Sequence, residues 1–373
     1  LTASKEVIMI EKIFRRIWYD GENGPGLTCL LLSMMPFSML YGLITGLRNN
    51  LFDLGFLKSV RLPARVVSIG NLTVGGTGKT PMVIRLARIL RNQGYRPVVL
   101  SRGYGGKSKD PINVVSKGEK PLMNHREAGD EPVLIAKSLT GIPVLTGPRR
   151  VLTGGWALKN LDADVLILDD GFQHRQLFRD IDIVLLNAAN PYGNGHLLPG
   201  GPLREPLSAL KRADIIVTTG AYSDIIVPRP LILPDDTPIF KCYYQPRDLL
   251  QGSQEAVYPL GLIKGKKICA FAGIGNPTTF QKTLGSLGGE VAVFIPFPDH
   301  HRYTEADICL ISENARQCQA EMIITTEKDK TKLDQFEVFL SSIYALRVEM
   351  EFLSGREDFE RLLLEKLKED HAG

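Results

Sequence analysis

Between about residue 65 and residue 218, short runs of β-branched and aliphatic residues alternate with stretches in which apolar positions return every three or four residues. A strand covered on both faces reads as a near-continuous apolar run, and a covering helix reads with a 3.6-residue period. The pattern predicts strands over 65–69, 97–100, 112–115, 142–146, 164–168, 181–186 and 214–218. Between the first two it predicts a helix over 79–91, with Met82, Val83, Leu86 and Leu90 on one face and Arg85, Arg88 and Arg91 on another. Strands alternating with helices in this way predict an α/β fold, a mainly parallel sheet with helices on both faces.

A proline-rich stretch over 228–238 interrupts the series, and a second βαβ-like unit follows over 267–326. The segments 239–244 and 343–352 read as paired linker strands that carry the chain out and back. A helix over 357–368 then returns to the first unit. The expected division is an N-terminal extension (1–26), an apolar helical segment (27–62), a core (63–236), a smaller α/β domain with its linker strands (237–350) and the returning helix (351–373). With Leu1 at its head, the chain reads as carrying an extra leader, or a start at Met9.

The segment 27–47 is almost uncharged and rich in Leu and Met, with Pro36 near its middle. About 20 apolar residues span a bilayer, but Thr28, Ser33, Ser38, Tyr41 and Thr45 dilute this run. Arg15, Arg16, Arg48, Lys58 and Arg61 flank it on both sides, the arrangement of a helix lying against anionic head groups. Peripheral docking on a membrane surface is therefore expected, with a buried packing helix as the alternative.

Composition narrows the function. With 373 residues, 44% hydrophobic and 23% charged, the chain can bury a large core. A net charge of +4 is too small for nucleic acid to be the main partner. The five cysteines are scattered without a C-x-x-C pair, which speaks against zinc and for a reducing compartment. No obligate protein partner is evident.

The strongest chemical signal is the run Gly70-Asn71-Leu72-Thr73-Val74-Gly75-Gly76-Thr77-Gly78-Lys79-Thr80, between a predicted strand and a predicted helix. A phosphate chain is cradled by inward-turned backbone N–H groups and the positive end of a helix. Thr73, Gly75, Gly76, Thr77 and Gly78 supply that backbone, Lys79 reaches the outer phosphates of ATP, and the Thr80 hydroxyl suits Mg²⁺. The expected fold is thus P-loop NTPase-like. Such a site needs a carboxylate at the tip of a neighbouring apolar strand. Asp169 is the first choice for the metal and Asp170 the second, at the end of a strand closing in Asp-Asp-Gly. Ser101-Arg102-Gly103-Tyr104, Gly129-Asp130-Glu131-Pro132 and Gly147-Pro148-Arg149-Arg150 also follow predicted strands or open a helix. Together they suggest transfer to a bound alcohol, with Asp130 taking or orienting its proton. Taken singly, an Asp near a helix start more often caps the helix, and paired arginines are more often solvated.

The runs SIGNLTVGGTGKTP, SRGYGG, GDEP, LDDGFQH, LLPGGPLREPLSAL, PDHHRYT and ITTEKDKTKL occur in this order. In this the chain resembles the tetraacyldisaccharide 4'-kinase family of lipid A biosynthesis. The resemblance implies transfer of the γ-phosphate of ATP, with Mg²⁺, to the 4'-hydroxyl of a tetraacylated glucosamine disaccharide 1-phosphate. It implies a peripheral enzyme on the cytoplasmic face of the bacterial inner membrane. Carried onto this sequence, it implies Lys79 and Thr80 at the nucleotide, Asp169 and Asp170 at the metal, Asp130 as base and His300 as its partner, with His301 adjacent. Ser101, Tyr104, Arg149, Gln173 and Arg204 are the implied contacts of the substrates. A partitioning-type ATPase is the nearest rival, but it would carry a second Lys where this chain has Val74. A membrane-held nucleotide-binding scaffold would need neither Asp130 nor His300.

Overall fold

The computed structural model describes residues 13–20, 24–220, 233–234, 236–253 and 256–369. The strands expected in the first half form as β1 (Arg65–Asn71), β2 (Pro97–Ser101), β3 (Asn113–Ser116), β4 (Val144–Thr146), β5 (Val165–Asp169), β6 (Ile181–Asn187) and β7 (Ile215–Thr219). They lie in the order β7-β6-β1-β5-β2-β4-β3, parallel except for β3, which runs antiparallel to β4 at the edge. Every residue of β2, β4, β5 and β7 is buried, as two-sided helix cover requires.

The helix Lys79–Asn92 buries Met82, Val83, Leu86 and Leu90 against this sheet. On its arginine face Arg91 is exposed, but the other two are paired. Arg85 pairs with Glu351 at 2.9 Å and Arg88 with Glu349 at 2.5 Å, both on a strand more than 260 residues later.

That strand belongs to the second half, where β8 (Ile239–Gln251), β9 (Ala256–Tyr258), β10 (Lys267–Ala272), β11 (Glu290–Pro296), β12 (Met322–Thr326) and β13 (Tyr344–Phe352) form. The expected linker strands pair antiparallel, from Cys242 opposite Phe352 to Gln251 opposite Tyr344. Because β8 also runs parallel to β7, they join the two halves into one sheet, β11-β10-β12-β13-β8-β7 and onward. β8 extends well past residue 244, through Pro246, and the register shifts beside that proline. A proline has no N–H for the ladder and is tolerated at such an irregularity. The returning helix Arg356–Lys368 places Phe359, Leu363 and Leu367 in the same core as Met82 and Leu86.

The apolar N-terminal segment is one helix, Pro25–Asp53, with Pro36 inside it. One side is pinned to the core by polar contacts. The Tyr41 hydroxyl donates to the Arg204 carbonyl (2.9 Å), Arg48 to the Gln173 carbonyl (2.6 Å), and the Ser38 hydroxyl accepts from the Gly200 N–H (2.9 Å). The other side is open and oily, with Phe37, Met39, Leu40, Leu43, Ile44 and Leu47 all exposed, Leu43 by 72%. It is the one helix among the described residues long and apolar enough to cross a membrane. Met9, most of the N-terminal extension and about half of the proline-rich break lie outside the described residues.

Candidate active site

The parallel strands bring their carboxyl ends to one edge of the sheet, where ligands bind in folds of this kind. The loop after β1 turns through Gly78, whose φ of +83° lies in the left-handed region, and the helix begins at Lys79. Gly78 is needed for a second reason. A Cβ there would lie 2.5 Å from the Tyr244 hydroxyl and 2.8 Å from the Met350 methyl, so β8 and β13 press directly on the loop. The loop is held by further bonds. Val74 N–H donates to the Pro202 carbonyl (2.8 Å), the Tyr19 hydroxyl to the Val74 carbonyl (2.6 Å) and the Thr219 hydroxyl to the Thr77 carbonyl (2.9 Å). Thr73 is buried at the bridge to Leu203. Gly76 faces Gly275, which comes from the loop after β10.

Asp169 ends β5 in register with Ile69 of β1, which sets it beside the loop. It is fully buried, accepts a 2.8 Å hydrogen bond from the Ser101 hydroxyl on one oxygen, and leaves Oδ1 without a partner. Burial, then the negative charges of Glu131 and Asp170, push its carboxyl up to about 7. Asp170 behaves oppositely. Burial raises it, but Lys79 at 3.6 Å and Arg204 at 2.8 Å outweigh burial and hold it at about 2. A buried carboxylate oxygen with no donor, in a neighbourhood that resists its charge, fits a divalent cation. No cluster of three or more His, Cys, Asp or Glu that could hold a metal occurs among the described residues. Mg²⁺ is held by one or two carboxylates, with water and phosphate completing its shell, and Asp169 and Asp170 are two carboxylates beside the loop.

The second half contributes the loop after β11. His300 sits in the left-handed region (φ +59°), as does Asp170 (φ +53°). Strain of this kind in non-glycine residues persists only where the surroundings enforce it. Nδ1 of His300 lies 3.0 Å from both carboxylate oxygens of Asp130. Asp130 opens the helix Asp130–Ser138 but makes no capping bond, so its side chain is committed to the histidine. Burial raises the Asp130 carboxyl, yet the His300 hydrogen bond and the Lys328 charge overcome this and hold it well below the usual range. His301 is turned away, bonding to Asp307 at 3.0 Å and stacking on Phe297.

The remaining sequence candidates fall into three groups. Ser101 is buried on Asp169, and Arg204 bonds Asp170 and Asn71, so both face the carboxylates. Tyr104 is exposed and meets the His300 ring edge-on at 5.6 Å, at the mouth of the site. Gln173 ties its amide to the Asn71 carbonyl (2.9 Å), while Arg149 is exposed at the start of the helix Arg150–Leu161. Its neighbour Arg150 is the buried one, with Nε unpartnered. Burial lowers the Arg150 guanidinium pKa, against the opposing charges of Asp169 and Asp170. Sequence reading passed over Arg150, Glu131, Asp299 and Lys328 as site residues, although each stands inside or next to a quoted motif.

The family model described as Tetraacyldisaccharide-1-P 4'-kinase matches residues 30–368. A curated tetraacyldisaccharide 4'-kinase from Syntrophus aciditrophicus is 49% identical over 367 residues, covering 95% of this chain and 98% of that protein. Another from Anaeromyxobacter dehalogenans is 41% identical over 361 residues, covering 93% of each. A crystal structure of LpxK from Aquifex aeolicus in complex with ATP superposes with a TM-score of 0.74 at 37% identity, covering 91% of this chain and 99% of that one.

Proposed function

The chain belongs to the tetraacyldisaccharide-1-P 4'-kinase family, and from that premise we propose how its residues perform the transfer. The protein is an ATP-dependent phosphotransferase that acts on an alcohol. It moves the γ-phosphate of ATP to the 4'-hydroxyl of the tetraacylated disaccharide 1-phosphate in lipid A biosynthesis. The observation that carries the residue assignments is the meeting of Asp130 and His300, 170 positions apart in sequence, at 3.0 Å beside the phosphate loop.

Asp130 accepts the proton of the attacking hydroxyl, and His300 holds it in position. A loose phosphoryl-transfer transition state asks more for placement than for deep deprotonation, so a weakly basic carboxylate suffices. Lys79 exchanges Asp170 for the outer phosphates when ATP binds, and Asp170 then remains paired with Arg204. Thr80 and Asp169 would hold Mg²⁺, with Asp170 as second carboxylate; when bound, the ion neutralises charge developing on the phosphate oxygens. The loop carrying Gly275, backed by Asp299 from the loop after β11, covers the phosphate loop and keeps water from it.

We assign residues 63–236 to the kinase core, 237–350 to a smaller domain that brings His300 to it, 27–62 to membrane association and 351–373 to the C-terminal segment that carries the returning helix Arg356–Lys368. The oily side of the helix Pro25–Asp53 rests on the cytoplasmic face of the inner membrane. Its opposite side touches Arg204 and Gln173, so lipid drawn from the bilayer arrives next to the site. Ser101, Tyr104, Arg149, Gln173 and Arg204 are the candidates to meet the substrates.

The test is to incubate the protein with labelled ATP, Mg²⁺ and detergent-dispersed disaccharide 1-phosphate. A doubly phosphorylated lipid is the expected product. Phosphate release that is indifferent to the lipid would point to an ATPase instead.

A further inference from the structure

The helix Glu327–Lys330 follows β12 and is clamped at its base. Asp329, wholly buried, accepts from the Gly273 N–H (2.9 Å) and the Thr326 hydroxyl (2.7 Å) and is ion-paired with Lys332 (2.8 Å). This fixes the backbone from which Lys328 projects. The Lys328 ammonium lies 3.2 Å from Asp299, 3.3 Å from Glu131, 3.4 Å from Nε2 of His300 and 3.8 Å from Asp130. The reaction described above gives this buried cation no task.

An ammonium has three N–H donors and no lone pair. Asp299 and Glu131 take two of them, and the closest remaining polar atom is Nε2 of His300. A proton on Nε2 would set donor against donor, and Asp299, 3.9 Å from Nε2, is too distant to accept it. Nε2 must therefore present its lone pair, leaving the ring proton on Nδ1, opposite both oxygens of Asp130.

We propose that Lys328 is a positioning residue for phosphoryl transfer, facing Nε2 of His300 with a bound cation and so opposing a proton on that nitrogen, which selects for the neutral imidazole the tautomer that donates from Nδ1 to Asp130. The proposal rests on the reading of Asp130 as proton acceptor. A neutral imidazole orients that carboxylate, whereas an imidazolium would lower its basicity further.

Several charges bear on His300. Asp130 and Glu131 face it from the helix Asp130–Ser138, Lys328 from its own short helix and Asp299 from the adjacent backbone, with the Tyr104 ring on the open side. Lys332 and His125 act more remotely, through Asp130. Burial lowers the His300 pKa and the Asp130 hydrogen bond raises it, with Lys328 the main opposing charge and the balance upward. Removing the lysine charge therefore moves His300 further up.

The experiment uses the full chain with ¹⁵N-labelled histidine, the His300 resonances being assigned by their loss in His300→Ala. In the wild type, the neutral form should carry its proton on Nδ1; a proton on Nε2 overturns the proposal without any lysine variant having to fold. In Lys328→Met, the His300 titration midpoint should rise by about one pH unit, the acid limb of kcat should rise with it, and Lys328→Arg should restore both. An unmoved midpoint in a folded Lys328→Met overturns the proposal. A midpoint that moves while kcat ignores it leaves the tautomer standing and overturns instead the reading of Asp130 beneath it.

Discussion

Replacing Asp169 by Asn should make the protein more stable in the absence of Mg²⁺ while abolishing its turnover. Asp169 has one oxygen on the Ser101 hydroxyl and the other orphaned, and burial beside Glu131 and Asp170 lifts its carboxyl from an ordinary value of 3.8 to about 7. A gap of about 3 pH units at ~1.4 kcal/mol per unit amounts to roughly 4 kcal/mol spent on ionising the group in place. The sign follows from proton counting. Between about pH 4 and pH 7 the folded protein binds a proton here that the unfolded chain has released, so this residue makes stability fall as pH rises through that window. Above pH 7 the loss is complete. The asparagine keeps the bond to Ser101, has no charge to desolvate, and shows no such fall.

Urea unfolding in EDTA at pH 5 and pH 8 measures this directly. The stability gap between Asp169→Asn and wild type should widen by about 2–3 kcal/mol from pH 5 to pH 8, the part of the window lying between those values. Adding Mg²⁺ at pH 8 should raise the wild type and leave the variant unmoved. An asparagine variant that is less stable than wild type by the same amount at both pH values would refute the reasoning.

Lys79→Ala and Thr80→Ala should each remove most turnover with melting temperature preserved, because both act on phosphate and metal; near-native activity at saturating Mg²⁺ would mean the loop has been misassigned. Asp130→Ala and His300→Ala should each lower kcat by about 10²-fold or more while KM for ATP changes little, and the double variant should be scarcely worse than the worse single; multiplicative losses would show two independent roles. Gly275→Val should lower kcat with little change in melting, since even a Cβ at that position stands 3.0 Å from the Gly76 nitrogen and keeps the covering loop from seating. Leu40→Glu with Leu43→Glu should release the protein from anionic vesicles in a flotation assay while turnover of detergent-dispersed lipid is largely kept; retention on the vesicles would place the contact elsewhere.

Much of the core was readable in advance because its requirements are local. A buried parallel strand must be apolar along its length, a phosphate loop must carry glycines at fixed offsets before a lysine, and both needs are met by contiguous residues. The strands of the first half to within a residue or two, the loop at Gly75 to Thr80 and the carboxylates closing β5 could therefore be placed from order alone. The apolar face of the helix Pro25–Asp53 was legible for the same reason.

What the sequence could not supply were relations between distant residues and the direction in which a side chain points. Arg149 and Arg150 are neighbours in one dipeptide, yet the first, still in extended backbone, is exposed while the second, the first residue of the helix, is buried within reach of the Asp169 charge. Sequence put the arginines of the helix Lys79–Asn92 on one face without saying what they meet; folding sets β13 there, with Glu351 on Arg85 and Glu349 on Arg88. β8 looked finished near residue 244, because a proline inside a strand reads as its end until a partner strand with a matching irregularity is known. Lys328 is one of several lysines in a charged run, and only the packing of its short helix between the helix that starts at Asp130 and the loop after β11 gives it three carboxylates and an imidazole to face. Composition and periodicity record what each segment needs from its immediate surroundings, whereas the pairing of Asp130, His300 and Lys328 depends on how two halves of one sheet meet, and that is decided only when the chain has folded.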